Sequence, residues 1–319
     1  MKMNKQLQFF RLTNLLLLLL LTACADLFEE KCPISNQINF VYRNENNSDE
    51  TTLMLGSVTD YIFDSDSILY RINPDIRGAQ IRSRAFDLPD GNWHVLSFAN
   101  LYSNSKVSTY TVGETHMKDL SVEVISKDLL KTETPQYIGN GDNLYFSSVT
   151  LEIKDGWPKQ RIVGYYTPVH IRLTAFVTWA DQTDKPNQNS KLAAVLQNVS
   201  GGCKFLCKTK IDKVYNLHYA VPYPLSIEKL QRVQLYPSDD TFRFDAVSMR
   251  FETGKAPHLQ LMNGTDALTK SLDLNRFFDA NNIDLSNTRI QHIRLSIRIE
   301  RQKVVISPLD ILAWDVEYI

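Results

Sequence analysis

An all-β fold of two tandem antiparallel β-sandwiches is predicted by three features of the chain. Apolar residues recur at every second position through long stretches, the period of half-buried strands. Clusters of Gly, Asn, Asp and Pro divide these stretches at short intervals, as hairpin connections require. Long helical patterns do not alternate with the strands, which argues against a parallel sheet with crossover helices.

Residues 1–23 read as a signal peptide. Lys2, Lys5 and Arg11 precede an unbroken leucine run from Leu15 to Leu21, too short for a transmembrane helix of roughly 20 residues. The run stops at Leu21-Thr22-Ala23-Cys24. That box resembles the bacterial lipoprotein signal, which is cut before the cysteine so that its sulfur and freed amine carry acyl chains. Cys24 is therefore the expected lipid-attachment residue, and this covalent lipid is the one non-protein group expected. Each buried methylene contributes about 0.8 kcal/mol and a single chain holds only marginally, so several chains together make a stable anchor. An ordinary signal with a chance cysteine, or a short membrane anchor, is the alternative.

Residues 24–36 form an acidic tether, with Asp26, Glu29 and Glu30 close behind the cysteine. Acidic residues there resemble the export signals of surface-displayed lipoproteins in Bacteroidetes-type bacteria; a plain solvated tether is the bland alternative. Signal removal takes three of the 35 basic residues and none of the 36 acidic ones, leaving 32 against 36. This balance gives no electrostatic footprint for nucleic acid. The 296 residues that remain of 319 exceed what one hydrophobic core usually organises, so two domains are expected.

The first sandwich is assigned to residues 37–160. Its strand signals are Ile68-x-Tyr70-x-Ile72, Trp93 to Phe98, Ser121 to Ile125 and Val149-x-Leu151-x-Ile153. Pro89-Asp90-Gly91 and Gly139-Asn140-Gly141-Asp142 supply turns between them. The boundary belongs between Lys154 and Pro168, where Asp155-Gly156-Trp157-Pro158 breaks a strand.

The second sandwich takes residues 161–319. Val169, Ile171, Leu173, Ala175, Val177 and Trp179 alternate with mostly polar neighbours, Phe176 excepted, and place Trp179 inside. Ile293, Leu295, Ile297 and Ile299 repeat the pattern, and Leu312, Trp314, Val316 and Tyr318 predict a closing strand. Between Phe244-x-Ala246 and Val247-x-Met249-x-Phe251 the apolar phase slips, which a one-residue bulge would explain. Leu192, Val195, Leu196 and Val199 have helical spacing, with Ser190 available as cap and Gly201 as terminator. Leu274, Phe277 and Phe278 behind Asp273 form a smaller helical set. A strand or an irregular connection is the alternative for both.

Catalytic chemistry has little to rest on. His94, His116, His170, His218, His258 and His292 are scattered singly, and a solvated imidazole is expected for each. No Gly-x-Ser-x-Gly elbow, His-Glu-x-x-His pair or Gly-rich phosphate loop occurs. Asp64-Ser65-Asp66-Ser67 lacks the further oxygens of a calcium loop and reads as a turn. Beyond Cys24 three cysteines remain, an odd count. Cys203 and Cys207 could close a small disulfide loop in an oxidising compartment or stay as thiols, and no further ligands accompany them for zinc. No catalytic site, metal or cofactor is expected.

The Leu21-Thr22-Ala23-Cys24 box together with Leu88-Pro89-Asp90-Gly91-Asn92-Trp93-His94-Val95-Leu96-Ser97-Phe98-Ala99-Asn100-Leu101 resembles the fimbrial anchor lipoproteins of Bacteroidales, often called the FimB type. The Val169 to Trp179 strand and the ending Val304 to Val316, with Pro308 and Trp314, are similar to that family's second domain. Ala313 stands before Trp314 where the family pattern has proline. The resemblance implies two transthyretin-like sandwiches and a non-enzymatic role: attaching a pilus to the outer membrane and limiting its length, with pilin subunits as partners joined by strand addition. A surface glycan- or protein-binding lipoprotein, with Trp93, Trp157 or Trp179 as stacking platforms, is the competing expectation.

Overall fold

A computed structural model describes residues 35–44, 46–125, 137–155, 157, 159–181, 192–207, 214–220, 242–252, 254–300 and 303–310. The expected signal segment, Cys24, Cys32, Ser190 and the expected closing strand from Leu312 lie outside these residues.

The chain opens with β1 (Asn36–Tyr42), a helical turn at Thr51–Met54, β2 (Val58–Phe63) and β3 (Leu69–Ile76). β4 (Ser83–Phe86) and β5 (Gly91–Ala99) follow, β5 starting where Gly91 takes a φ of +148°, which a side chain would resist. β6 (Ser105–Val107), β7 (Ser121–Val124), β8 (Tyr137–Ile138), β9 (Tyr145–Ile153) and β10 (Arg161–Pro168) complete the first half. The second half supplies β11 (His170–Trp179), β12 (Leu192–Ser200), β13 (Gly202–Lys204), β14 (Val214–Ala220) and β15 (Phe242–Met249). β16 (His258–Asn263), β17 (Asp266–Ala267), β18 (Leu272–Asp273), a helix at Leu274–Ala280, β19 (His292–Ile299) and β20 (Val304–Asp310) finish the described chain.

The all-β class predicted from periodicity is the class observed. Among the described strands the sheets run β3-β2-β5-β9-β10-β1-β4, β15-β11-β19-β20 and β17-β16-β12-β14-β8, with a small β13-β7-β6 ribbon. Pairing is antiparallel except for β1 with β10, β11 with β19 and β14 with β8. β10 falls beyond the boundary drawn at residue 160 yet pairs with β1 and β9 of the first sheet, so the chain changes sheets at Pro168 to His170.

The seven-stranded sheet is covered on both faces. Trp93, Val95 and Ala99 of β5 pack with Ile38, Phe40 and Tyr166, while Leu96 and Phe98 join a second core that continues through Ile171, Leu173 and Leu295. β5 is consequently buried without a break from Val95 to Ala99, as befits an interior strand. β10 fits between its neighbours only because Gly164 carries no side chain. A Cβ there would meet Val149 Cγ2 at 2.8 Å and Phe40 Cδ1 at 3.0 Å.

One charged cluster lies inside this packing. Arg84 donates from Nη2 to Asp60 Oδ1 at 3.0 Å and pairs Nε with Oδ2 at 2.8 Å, while Ser97 Oγ donates to Oδ1 at 2.5 Å. The guanidinium lies 3.7 Å from the centre of the Phe40 ring. Burial pushes the Asp60 carboxyl upward, and Arg84 and Ser97 pull against that rise.

Three local expectations are corrected. Leu192 to Ser200 forms strand β12, not a helix: it lies between β14 and β16 and is buried continuously from Leu192 to Leu196, so no alternation shows. A register shift between Leu196 and Val199, with Asn198 at φ +65°, then resets the phase and reproduces helical spacing. β15 pairs with β11 in continuous register from Phe242 to Met249, so the expected bulge is absent; Val247 is half-buried on the opposite face and both Ser248 and Met249 are buried at the strand's end. In β3, Leu69 is the buried residue and Tyr70 sets its ring at a tilt 4.6 Å from that of Trp93, because two register shifts against β2 alter the phase. The helix behind Asp273 forms as expected, with Asp273 Oδ1 accepting from Asn275 N at 2.9 Å.

Candidate functional site

The sheet borders are the first candidates, because an unpaired strand edge is a template for another chain. β3 and β4 border the seven-stranded sheet, and β15 and β20 the four-stranded one. Two of these four carry proline, Pro74 in β3 and Pro308 in β20, which withholds a ladder donor at the border. β15 is braced by the Gly139 to Asp142 turn: Asn140 donates to Asp245 O at 3.0 Å and accepts from Val247 N at 3.0 Å, and Gly141 N donates to Val247 O at 2.8 Å. Among the described residues no such brace meets β20, whose border carries Pro308.

Cys203 and Cys207 bracket the junction of the two halves. β13 adds to β7, with Val124 N donating to Gly201 O at 2.8 Å and Phe205 N to Leu120 O at 3.1 Å. Phe205, 1% exposed, thereby enters the first-half core, 4.8 Å from the ring centres of both Tyr61 and Phe98 and 6.0 Å from that of Phe63. The two sulfurs stand 3.2 Å apart across the turn that presents this ring. Cys207 holds a φ of +54° there.

Two histidines depart from the expected solvated state. His170 is 3% exposed and donates from Nδ1 to Leu144 O at 2.9 Å; burial lowers its pKa to about 4. His292 is half-buried beside Thr174 and Asp245, and burial followed by the neighbouring Arg172 and Arg294 charges lowers its pKa to about 3. Burial alone would raise Asp245, but the Thr174 hydrogen bond and the Arg243 and Arg172 guanidiniums hold its carboxyl below the usual range.

The Thr174, His292 and Asp245 grouping superficially suggests an activated nucleophile. Thr174 Oγ1 bonds Asp245 Oδ1 and lies 2.7 Å from His292 Nε2. An ionised carboxylate only accepts, so the hydroxyl's single proton goes to Asp245 and His292 Nε2 must donate to the oxygen. A general base has to accept that proton, and the buried Thr174 is out of reach of a substrate. The arrangement ties β11, β15 and β19 together.

Of the three tryptophans considered as platforms, Trp93 and Trp179 are buried, and Trp157 alone is open at 49%, with Lys154 Nζ 4.3 Å from its ring centre. Asp64 forms the expected turn, its Oδ1 accepting from Asp66 N at 3.0 Å and Ile68 N at 2.9 Å. Cys24 and Cys32 lie outside the described residues. Among the described residues no group of His, Cys, Asp and Glu is placed to hold a metal, and no helix is long and apolar enough to cross a membrane.

This fold is shared. A protein from Bacteroides thetaiotaomicron, provisionally described as polysaccharide-binding, superposes with a TM-score of 0.66 at 13% identity, covering 86% of this chain and 97% of its own. A provisional adhesin from Bacteroides ovatus gives 0.65 at 16% identity over 89% and 97%. The fimbrial anchor protein Mfa2 from Porphyromonas gingivalis gives 0.60 at 16% identity over 87% and 96%. No curated protein sequence matches. The family model described as fimbrillin-A associated anchor proteins Mfa1 and Mfa2 matches residues 29–316, most of the chain, and the protein belongs to that family.

Proposed function

We propose that this protein is the lipid-anchored base of a pilus, acylated at Cys24 in the outer membrane, facing outward, and joined to pilin subunits by strand addition that also limits pilus length. The observation that carries the reading is the family match over residues 29–316. A fimbrial anchor or adhesin-like role at the cell envelope follows from membership of that family; acylation, strand addition and length control are the finer steps proposed here. The lipobox at Leu21 to Cys24 supports the first. The second is supported by β20, a border strand with alternating exposure from Lys303 to Ser307.

An anchor of this kind works by binding, and the Thr174 grouping is wired against base catalysis. Deleting the gene should leave pili shed into the medium or abnormal in length. Restoring a Cys24→Ala form should not reattach them, and correction of length without attachment would show pairing and tethering to be separate functions of one chain. Unchanged pilus number, length and attachment after deletion, with no related gene compensating, would overturn the reading.

A further inference from the structure

A polar cleft of about 450 Å³ opens where the end of β1 and the end of β10 meet the loop before β19. It is lined by Arg43, Asn47, Tyr165, Thr167, Thr288 and Arg289 among others, with two guanidiniums and no carboxylate. We propose that this cleft binds an acidic saccharide, with Arg43 and Arg289 taking a sugar carboxylate and the Tyr165 ring stacking on the pyranose face. The volume lies within the ordinary range for small-ligand sites.

The cleft is built on rigid parts. Its floor is Gln291, a buried amide that donates to the Tyr42 hydroxyl and accepts from Tyr145 OH at 3.1 Å, joining the two halves of the molecule. One wall is the 285–290 loop, which Arg250 pins by donating to the carbonyls of Ile290 at 2.6 Å, Asn287 at 2.8 Å, Leu285 at 3.2 Å and Thr288 at 3.4 Å. That loop therefore presents Thr288 and Arg289 without needing to order on binding. The opposite wall is a tight turn in which Arg43 Nη1 donates to Asn47 O at 3.0 Å.

Charge selects the ligand class. Asp49, which also feels the Arg43 charge, is engaged by Thr51 at 2.6 Å and by Arg82 at 3.1 Å. Two guanidiniums facing one small space favour a planar anion that accepts paired hydrogen bonds. Tyr165, 58% exposed on the outward phase of β10, adds an open aromatic face, and Asn47, Thr167 and Thr288 add partners for hydroxyls. A ring bearing one carboxylate and several hydroxyls satisfies all of these groups together.

The test is calorimetric titration of the purified full-length protein in detergent with trigalacturonate and with 3′-sialyllactose, each against its neutral counterpart, the methyl ester and lactose. At least one acidic probe should bind, and its neutral counterpart should bind roughly tenfold or more weakly, as loss of a charge-assisted pair predicts. Arg43→Ala and Arg289→Ala should each weaken the acidic probe about tenfold, and Tyr165→Ala should weaken acidic and neutral forms alike. All three side chains are exposed, and unchanged circular dichroism would confirm folding; were a variant to misfold, the acid-to-ester ratio on the unmodified protein still decides. No binding of either acidic probe at millimolar concentration overturns the proposal. So does binding indifferent to both arginines, or full displacement by sulfate at equal concentration, which would mark a simple anion site.

Discussion

Replacing Phe205 by alanine removes the ring that carries the second half of the chain into the core of the first. The side chain is fully buried and meets Tyr61, Phe63 and Phe98 edge-on or tilted, at 4.8 to 6.0 Å between centres. Truncating such a phenylalanine costs about 3–5 kcal/mol, from lost transfer energy and the cavity left behind. All three contacts fall within the distance at which aromatic pairs add ~0.5–1.5 kcal/mol beyond area burial, which places the expectation toward the upper end. For a chain of this size each kcal/mol lowers the midpoint by roughly 2–4 °C, so a drop of about 6–20 °C is expected in thermal unfolding followed by circular dichroism. Leu206, the next residue and 40% exposed, is the internal control, and Leu206→Ala should stay within about 0.5 kcal/mol. The Phe205 variant should also be cleaved faster by protease within 201–207, since the ribbon formed by β13, β7 and β6 loses its plug. A loss under about 1 kcal/mol, or equal effects of the two substitutions, would refute the claim that this ring couples the halves.

Arg84→Met should cost about 3–5 kcal/mol in urea unfolding because it leaves the Asp60 carboxylate buried without its partner, while Arg84→Met combined with Asp60→Leu should cost less than Arg84→Met alone. Stability should fall on acidification from about pH 6.5 toward 4: with a folded pKa of about 4, His170 stays neutral while the unfolded chain takes up the proton, so unfolding gains protons throughout that window. His170→Asn should remove about 1 kcal/mol per pH unit of that slope, and an unchanged slope would contradict the burial argument. Protein isolated from cell envelopes should carry Cys203 and Cys207 as a disulfide, two mass units lighter per peptide and resistant to alkylation until reduced. Closing so short a loop contributes about 2 kcal/mol, and two freely titrating thiols would rule the bridge out.

Strands whose two faces differ in polarity were legible in the chain. β19 alternates because one face meets the core and the other does not, and in β11 the apolar phase of Ile171, Leu173, Ala175, Val177 and Trp179 is the buried one, although Phe176 and Thr174 on the other phase are buried too. Where burial is two-sided the signal fails: β12 carries an unbroken apolar run, and its bulge at Asn198 gives a phase reset that imitates helical spacing. His170 was illegible for a related reason, since its polar phase on β11 suggests solvent although Leu144 and Tyr145 of the first half close over it. The cleft residues are separated by more than two hundred positions, from Arg43 to Arg289, and none belongs to a motif, so only the packing of the 285–290 loop against β1 and β10 brings them together.

On the anchor reading, the path of load through the molecule starts at an interior strand of the seven-stranded sheet. Cys24 precedes Asn36 by twelve residues, so a lipid tether would enter the fold through β1. β1 is not a border strand: β10 pairs with it from Gln37 to Tyr42 and β4 from Asn36 to Asn39, while Ile38, Phe40 and Tyr42 are buried beneath. A pull along the strand at Asn36 therefore loads both ladders in shear, with many hydrogen bonds sharing the force, and must also draw three buried side chains through the core. At the far end of β1, some 20 Å away at about 3.3 Å per residue, the Tyr42 hydroxyl bonds Gln291 of the second half, so the strand that would receive the tether also touches the element that would pass the load on. Peeling at a border strand such as β20 breaks bonds one at a time. A tether entering at β1 would thus be held by shear, whereas a strand at the β20 border could be exchanged bond by bond.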